Sequence, residues 1–211
     1  PSYNPWDQRL CLVPDSDLFT AIKNGSAAVV TDHIDTFTEN GIQLKSGEHL
    51  DADIIVSATG LQLVMMGGAE ITVDGNIVDF AKLWTYKGLM VSDVPNMVST
   101  FGYINASWTL RADLTAEWVC KTLNHMADTN TTSVVPIVPA GLLDMPARNW
   151  IADFPAGYLQ RVMHLFPKQG NREPWVNTQD FRRDRTLFNQ PLGADTALQY
   201  NQHKESTVPR A

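Results

Sequence analysis

The decapeptide DADIIVSATG, residues 51–60, is compatible with few folds. Asp51 and Asp53 mark a solvated end, Ile54, Ile55 and Val56 need cover on both faces, and Ser57, Ala58 and Gly60 are too small to supply any. An apolar run that stops at glycine in this way is expected to be a buried strand of an α/β sheet, where small residues let the backbone approach a cofactor or a second domain. Such a strand should be accompanied by a phosphate-binding G-x-G-x-x-G loop. None occurs in the 211 residues.

The flanking segments fit the same reading. DSDLFTAIKNG (15–25) predicts a short helix, with Asp15 or Ser16 as N-cap and Gly25 at its stop, and AAVVTD (27–32) predicts a strand. Asn40-Gly41 divides two alternating runs as a hairpin turn does, and a second turn is expected at Ser46-Gly47. Asp74-Gly75 marks another hairpin, VPNMVSTFGY (94–103) reads as an apolar strand ending in glycine, and residues 105–128 form the longest helix candidate. Its expected apolar stripe is Ala112, Ala116, Val119, Cys120, Leu123 and Met126. After the polar linker DTNTTS, prolines punctuate short segments. PAGYLQRVMHLFP (155–167) and NTQDFRRDRTLF (177–188) predict helices, and the polar tail after Gly193 is expected to be loose.

A formal net charge of −7, with basic residues scattered apart from Arg182, Arg183 and Arg185, argues against a nucleic-acid partner. Those three arginines are expected on a solvated helix face. Cys11 and Cys120 lie far apart in apolar stretches and read as buried, reduced thiols, which implies a cytoplasmic setting. The five histidines lack metal-ligand spacing, so no metal site is expected. No apolar run reaches the length of a membrane span, and no G-x-S-x-G elbow is present.

Two places carry candidate chemistry. Arg9, in NPWDQRL, emerges from apolar neighbours with Asp7 as its nearest acidic partner. Its residue chemistry leaves open a structural Asp7–Arg9 pair and an anion stabiliser at the edge of a cofactor pocket. In GYINASWTL (102–110), Asn105 and Ser107 are good caps for a helix whose positive end would face the crevice beyond the strand edge. A capped helix after a strand is also common without any ligand.

YNPWDQRLC, DLFTAIKNG, DADIIVSATGL, YKGLMVSDVPNM, GYINASWTLRADL and FPKQGNREPW, in this order, resemble the flavoprotein monooxygenases of the Baeyer–Villiger type, in the branch of the ethionamide-activating enzymes. The resemblance covers about residues 1–190. It implies a partial two-dinucleotide-binding-domain, Rossmann-like α/β fold whose N-terminal half, with both phosphate loops, is missing from the chain. Residues 1–60 would end an NADP-binding domain, 61–130 would be the returning part of an FAD-binding domain, and 131–211 an irregular, helical C-terminal extension.

The implied activity is FAD- and NADPH-dependent insertion of one oxygen atom from O2 into a ketone, or oxidation of a sulfur compound, through a C4a-peroxyflavin. Arg9 matches the family's active-site arginine. Gln8 stands where the family often has a lysine that helps bind the NADP 2′-phosphate. Thr59 and Gly60 match the strand end that returns toward the FAD domain, and Asn105, Ala106, Ser107 and Trp108 match the segment beside the flavin ring. The implied partners are the substrate, O2 and the missing half of the same protein. A different two-dinucleotide flavin oxidoreductase, such as a disulfide reductase, would need a C-x-x-C pair that the two cysteines cannot form. A non-catalytic binding module stands as the alternative from another class.

Overall fold

The computed structural model describes residues 3, 4, 11–152 and 154–202. The chain divides into two compact units, Pro1–Leu61 and Gln62–Ala211. Both combine helices with small sheets.

In the first unit, helix α1 (Asp17–Lys23) ends at Asn24 and is followed by Gly25 with φ +79°. Strands β1 (Ile34–Thr38), β2 (Gly41–Leu44) and β3 (His49–Asp51) form an antiparallel sheet in the order β1-β2-β3. The two turns fall where Asn40-Gly41 and Ser46-Gly47 place them. Residues 27–32 are not a strand, and the expected strand after Asp51 does not form. Ile54 is 83% and Val56 81% exposed. A doubly covered strand needs neighbours on both edges and helices on both faces. Among the described residues no strand of this unit pairs with 52–60.

Among its described residues the second unit holds four two-stranded antiparallel ladders. Strands β4 (Thr72–Val73) and β5 (Asn76–Ile77) flank the Asp74-Gly75 turn, in which both residues have positive φ, as a type I′ hairpin requires. Strands β6 (Thr85–Tyr86) and β7 (Met90–Val91) form a second hairpin. The long helix α2 runs from Trp108 to Asp128. Beyond it, β8 (Ser133–Pro136) pairs with β11 (Leu198–Asn201), and β9 (Arg148–Asn149) with β10 (Lys168–Gln169). Helices α3 (Gly157–Gln160) and α4 (Phe181–Phe188) lie between them in sequence, and the Asp180 carboxylate caps α4 by accepting from the Arg182 and Arg183 amides.

Four expectations are corrected here. Residues 94–103 are irregular: Pro95 has no amide to donate, and Asn96, with φ +57°, uses its side chain to bond Thr132 O and the Val134 amide in place of a ladder. The buried face of α2 is Arg111, Leu114, Thr115, Trp118, Thr122 and Met126, rotated from the alanine-rich stripe so that Trp118 fills the core. Cys11 and Cys120 are exposed. The tail expected to be loose forms β11 through Asn201 and adds Ala197 and Leu198 to the core. Arg182, Arg183 and Arg185 do lie on the exposed face of α4.

The main core joins Tyr86, Met90, Leu114, Trp118, Trp175, Leu187 and Phe188, and Tyr86 meets Trp175 edge-on at 6.0 Å. A second cluster around Trp150, Phe154, Leu159 and Phe166 packs against Phe101 and Ile104. These two cores fix the segment that leads into α2. Among the described residues no helix is long and apolar enough to cross a membrane, and no group of three His, Cys, Asp or Glu side chains could hold a metal ion.

Candidate functional site

Asn105, Ala106, Ser107 and Trp108 sit together at the exposed start of α2, whose first turn carries no side-chain cap. The Ser107 hydroxyl instead lies 2.7 Å from that of Thr109. Amide N–H groups and the positive end of a 21-residue helix are thus presented outward at this point. Trp108, 47% exposed, rests directly on the Gly102 backbone: a Cβ there would fall 2.1–2.4 Å from the indole Cγ, Cδ1 and Cδ2. Gly102→Ala should therefore push the indole off its seat and off the Phe101 ring, which it meets at 5.0 Å. We expect a red-shifted tryptophan emission with a stability loss of only about 1 kcal/mol, the scale of one aromatic pair. Unchanged emission would mean that the indole is held elsewhere.

The approach to the helix is held from below. Gln179 accepts from the Ile104 amide at 2.9 Å and donates to Gly102 O at 3.4 Å, while the Tyr103 hydroxyl donates to Asp184 at 2.8 Å. One turn into α2, Arg111 pairs with Asp184 at 3.1 Å, both side chains being at most 1% exposed. Its guanidinium also donates to Asn177 at 3.0 Å and to Lys87 O at 2.9 Å, and Thr178 bonds the other Asp184 oxygen. Gly88, with φ +67°, makes room for this arrangement, since a Cβ there would meet Arg111 Nη2 at 2.3 Å. Burial pushes the Arg111 pKa down, and Asp184 acts against that shift. A parallel tie joins Lys87 to Asp195 at 3.0 Å, with the Tyr86 hydroxyl on the same carboxylate oxygen at 2.5 Å.

The segment from Ser99 to Asn105 borders two cavities. An apolar one of about 170 Å³ has Phe101, Trp150 and Phe166 in its wall. A more polar one of about 340 Å³ is lined in part by Asn105, Gln169, Asn177 and Gln179.

Over 210 residues, all of this chain, the sequence is 46% identical to a probable FAD-binding monooxygenase, AlmA, of Acinetobacter baylyi. It is 48% identical over 205 residues to the FAD-containing monooxygenase EthA of Mycolicibacterium smegmatis, and 49% over 200 residues to EthA of Mycobacterium tuberculosis. By homology the chain corresponds to the C-terminal part of FAD-containing monooxygenases. It spans 42%, 41% and 40% of the length of these three relatives. No protein-family model and no solved structure matches it.

Of the residues that the resemblance to these flavin monooxygenases singles out, Gln8 and Arg9 lie outside the described residues. Thr59 and Gly60 belong to the first unit, in its irregular exposed stretch, and Gly60 has φ +101°. Only 105–108 form one place within the second unit. The sequence reading missed the supports: Phe101 and Gly102 as the seat of Trp108, and Arg111 with Asp184 beneath it. A signal for Arg111 was present, since Arg111, Leu114, Thr115, Trp118 and Thr122 recur at helical spacing. A charged residue at the head of an apolar stripe does not disclose its partner.

Proposed function

We propose that this chain is the C-terminal portion of an FAD- and NADPH-dependent monooxygenase of the Baeyer–Villiger type, acting on ketones or organosulfur compounds. The observation that carries the reading is identity of 46–49% along essentially the whole chain to FAD-dependent monooxygenases. The residues at the start of α2 suit the edge of a flavin ring: outward N–H groups and a helix dipole match its electron-rich side, and the half-exposed Trp108 offers a flat apolar neighbour. The pyrophosphate must be held elsewhere, because the chain has no G-x-G-x-x-G loop. The exposed Ile54–Val56 run agrees with a strand completed by the upstream half of the same protein.

Bound and reduced, the flavin supplies the electrons that activate O2 for transfer of one oxygen atom. The chain's own contribution is positional and electrostatic. Residues 105–108 orient the ring edge, Thr59 and Gly60 allow close backbone approach, and the Arg9 guanidinium stabilises negative charge that builds on oxygen during transfer. Gln8 replaces the charge of a lysine beside the NADP 2′-phosphate with an amide.

The test is reconstitution with the upstream part of Mycolicibacterium smegmatis EthA, joined at the alignment boundary. The chain alone should purify colourless, and the chimera should bind FAD and consume NADPH with stoichiometric oxygenation of a ketone or thioether. In the chimera Arg9→Ala should retain flavin yet lose at least about tenfold in product per NADPH, the scale expected from removing an oxyanion donor. A flavin-loaded chimera that oxygenates neither class would overturn the reading, and tight coupling in Arg9→Ala would remove Arg9 from it.

A further inference from the structure

We propose that the apolar cavity beside Phe101 and Trp150 is a binding site for the uncharged, ring-sized part of a small ligand. Resting on the monooxygenase reading above, we take that ligand to be the substrate. The volume of about 170 Å³ sets the size of the occupant, because an apolar cavity of about 150 Å³ in a protein interior admits one benzene. Its wall supplies the shape. Trp150 and Phe166 stack at 5.5 Å with planes 26° apart, and Phe101 meets Trp150 edge-on at 4.7 Å, giving a stiff aromatic side. Met65 and Met90, also in the wall, present unbranched thioethers that adapt to an irregular ligand.

The same wall sets the charge. Among the described residues no Asp, Glu, Lys, Arg or His lines the cavity. The buried hydrogen-bonding side chains of its wall, Trp150 and Thr85, are already engaged: Trp150 Nε1 donates to Thr85 Oγ1 at 3.3 Å, and that hydroxyl donates to Met90 O at 3.5 Å. An ion entering here would lose most of its hydration and meet hydroxyls such as those of Ser99 and Thr100, but no opposite charge. A neutral ring or short alkyl chain loses nothing of the kind.

The cavity also connects to the candidate site. Phe101 meets both Trp150 and Trp108, so a ligand against Trp150 is two ring contacts from the helix start. On its outer side the cavity is bounded by the tight turn that follows Val64, a residue 57% exposed. Substitution at Val64 can therefore block the opening without overfilling the core.

The probe is fluorobenzene, followed by 19F NMR on the 211-residue chain, with 4-fluorobenzoate as the charged control. The expected result is saturable one-to-one binding of fluorobenzene, at least about tenfold weaker binding of the benzoate, and at least about tenfold loss of fluorobenzene affinity in Val64→Trp. Val91→Ala, which enlarges the space, should bind fluoronaphthalene better than the parent does. Non-saturable partitioning, equal binding of the benzoate, or unchanged affinity in a folded Val64→Trp protein overturns the proposal. Should Val64→Trp fail to fold, the size shift in Val91→Ala decides, and its absence overturns the site. Binding here without oxygenation by the chimera would instead overturn the monooxygenase reading and leave the cavity a ligand site.

Discussion

Arg111→Met is expected to destabilise the larger unit by about 3–5 kcal/mol, a large fraction of the stability of an ordinary domain. The loss comes from what remains behind. Without the guanidinium, Asp184 is a buried carboxylate served by the Tyr103 and Thr178 hydroxyls, the Lys87 carbonyl loses the donor Arg111 supplied, and the Asn177 side-chain oxygen keeps only the longer bond from Gln179. Asp184→Leu should be equally damaging, because it leaves Arg111 charged at 1% exposure. The double variant Arg111→Met/Asp184→Leu removes both charges, so its loss should fall well short of the sum, with a coupling of about 2 kcal/mol or more. Chemical denaturation of the four proteins measures this cycle. Additive losses would show that the two side chains stabilise the fold independently, contrary to their shared network.

Raising the pH above 10 should unfold the protein through its buried tyrosines. Burial, reinforced by Asp195, raises the Tyr86 pKa, and burial with the Asp184 hydrogen bond raises that of Tyr103. Burial also pushes Tyr200 up to about 12. In the unfolded chain these hydroxyls ionise near the ordinary value of 10, whereas in the folded chain they keep their protons. The stabilising difference is thus complete below pH 10 and is lost as pH rises toward the folded values. Each tyrosine that keeps its proton removes about 1.4 kcal/mol per pH unit once the unfolded form is ionised, so the two fully buried ones set the slope and the partly buried Tyr200 adds less. Urea unfolding at stepped alkaline pH gives the slope. The tyrosinate absorbance missing from Tyr86→Phe and Tyr103→Phe should emerge only with the unfolding transition. Its growth in the still-folded protein would contradict the burial argument.

What could be read in advance was whatever is decided within a few residues. Asp74-Gly75 and Asn40-Gly41 specify their turns through backbone conformations that few other residues adopt, and both hairpins are present. Asp180 caps α4 with its own carboxylate, so that helix is also local information. The strand expected at 51–60 depended on neighbours outside that segment, and the face that α2 buries depended on partners far along the chain, Trp175 and Leu187 around Trp118 as well as Asp184 at Arg111. Of the candidate site, the exposed helix start at 105–108 was legible from Asn105 and Ser107, but its seat on Gly102 was not. A glycine's role there is to leave space, and the space is defined only once Trp108 is placed.

The pairing of β8 with β11 also constrains the order of events during synthesis. Ser133–Pro136 leaves the ribosome well before its partner Leu198–Asn201 exists, and Val134 shares the main core with Ala197 and Leu198. Until Asn201 has cleared the exit tunnel, the nascent chain can assemble α2 and its hairpins but cannot close this ladder or seal that end of the core. The larger unit therefore cannot complete its fold before Leu198–Asn201 has been made, and a stall within α4 leaves apolar side chains available to chaperones.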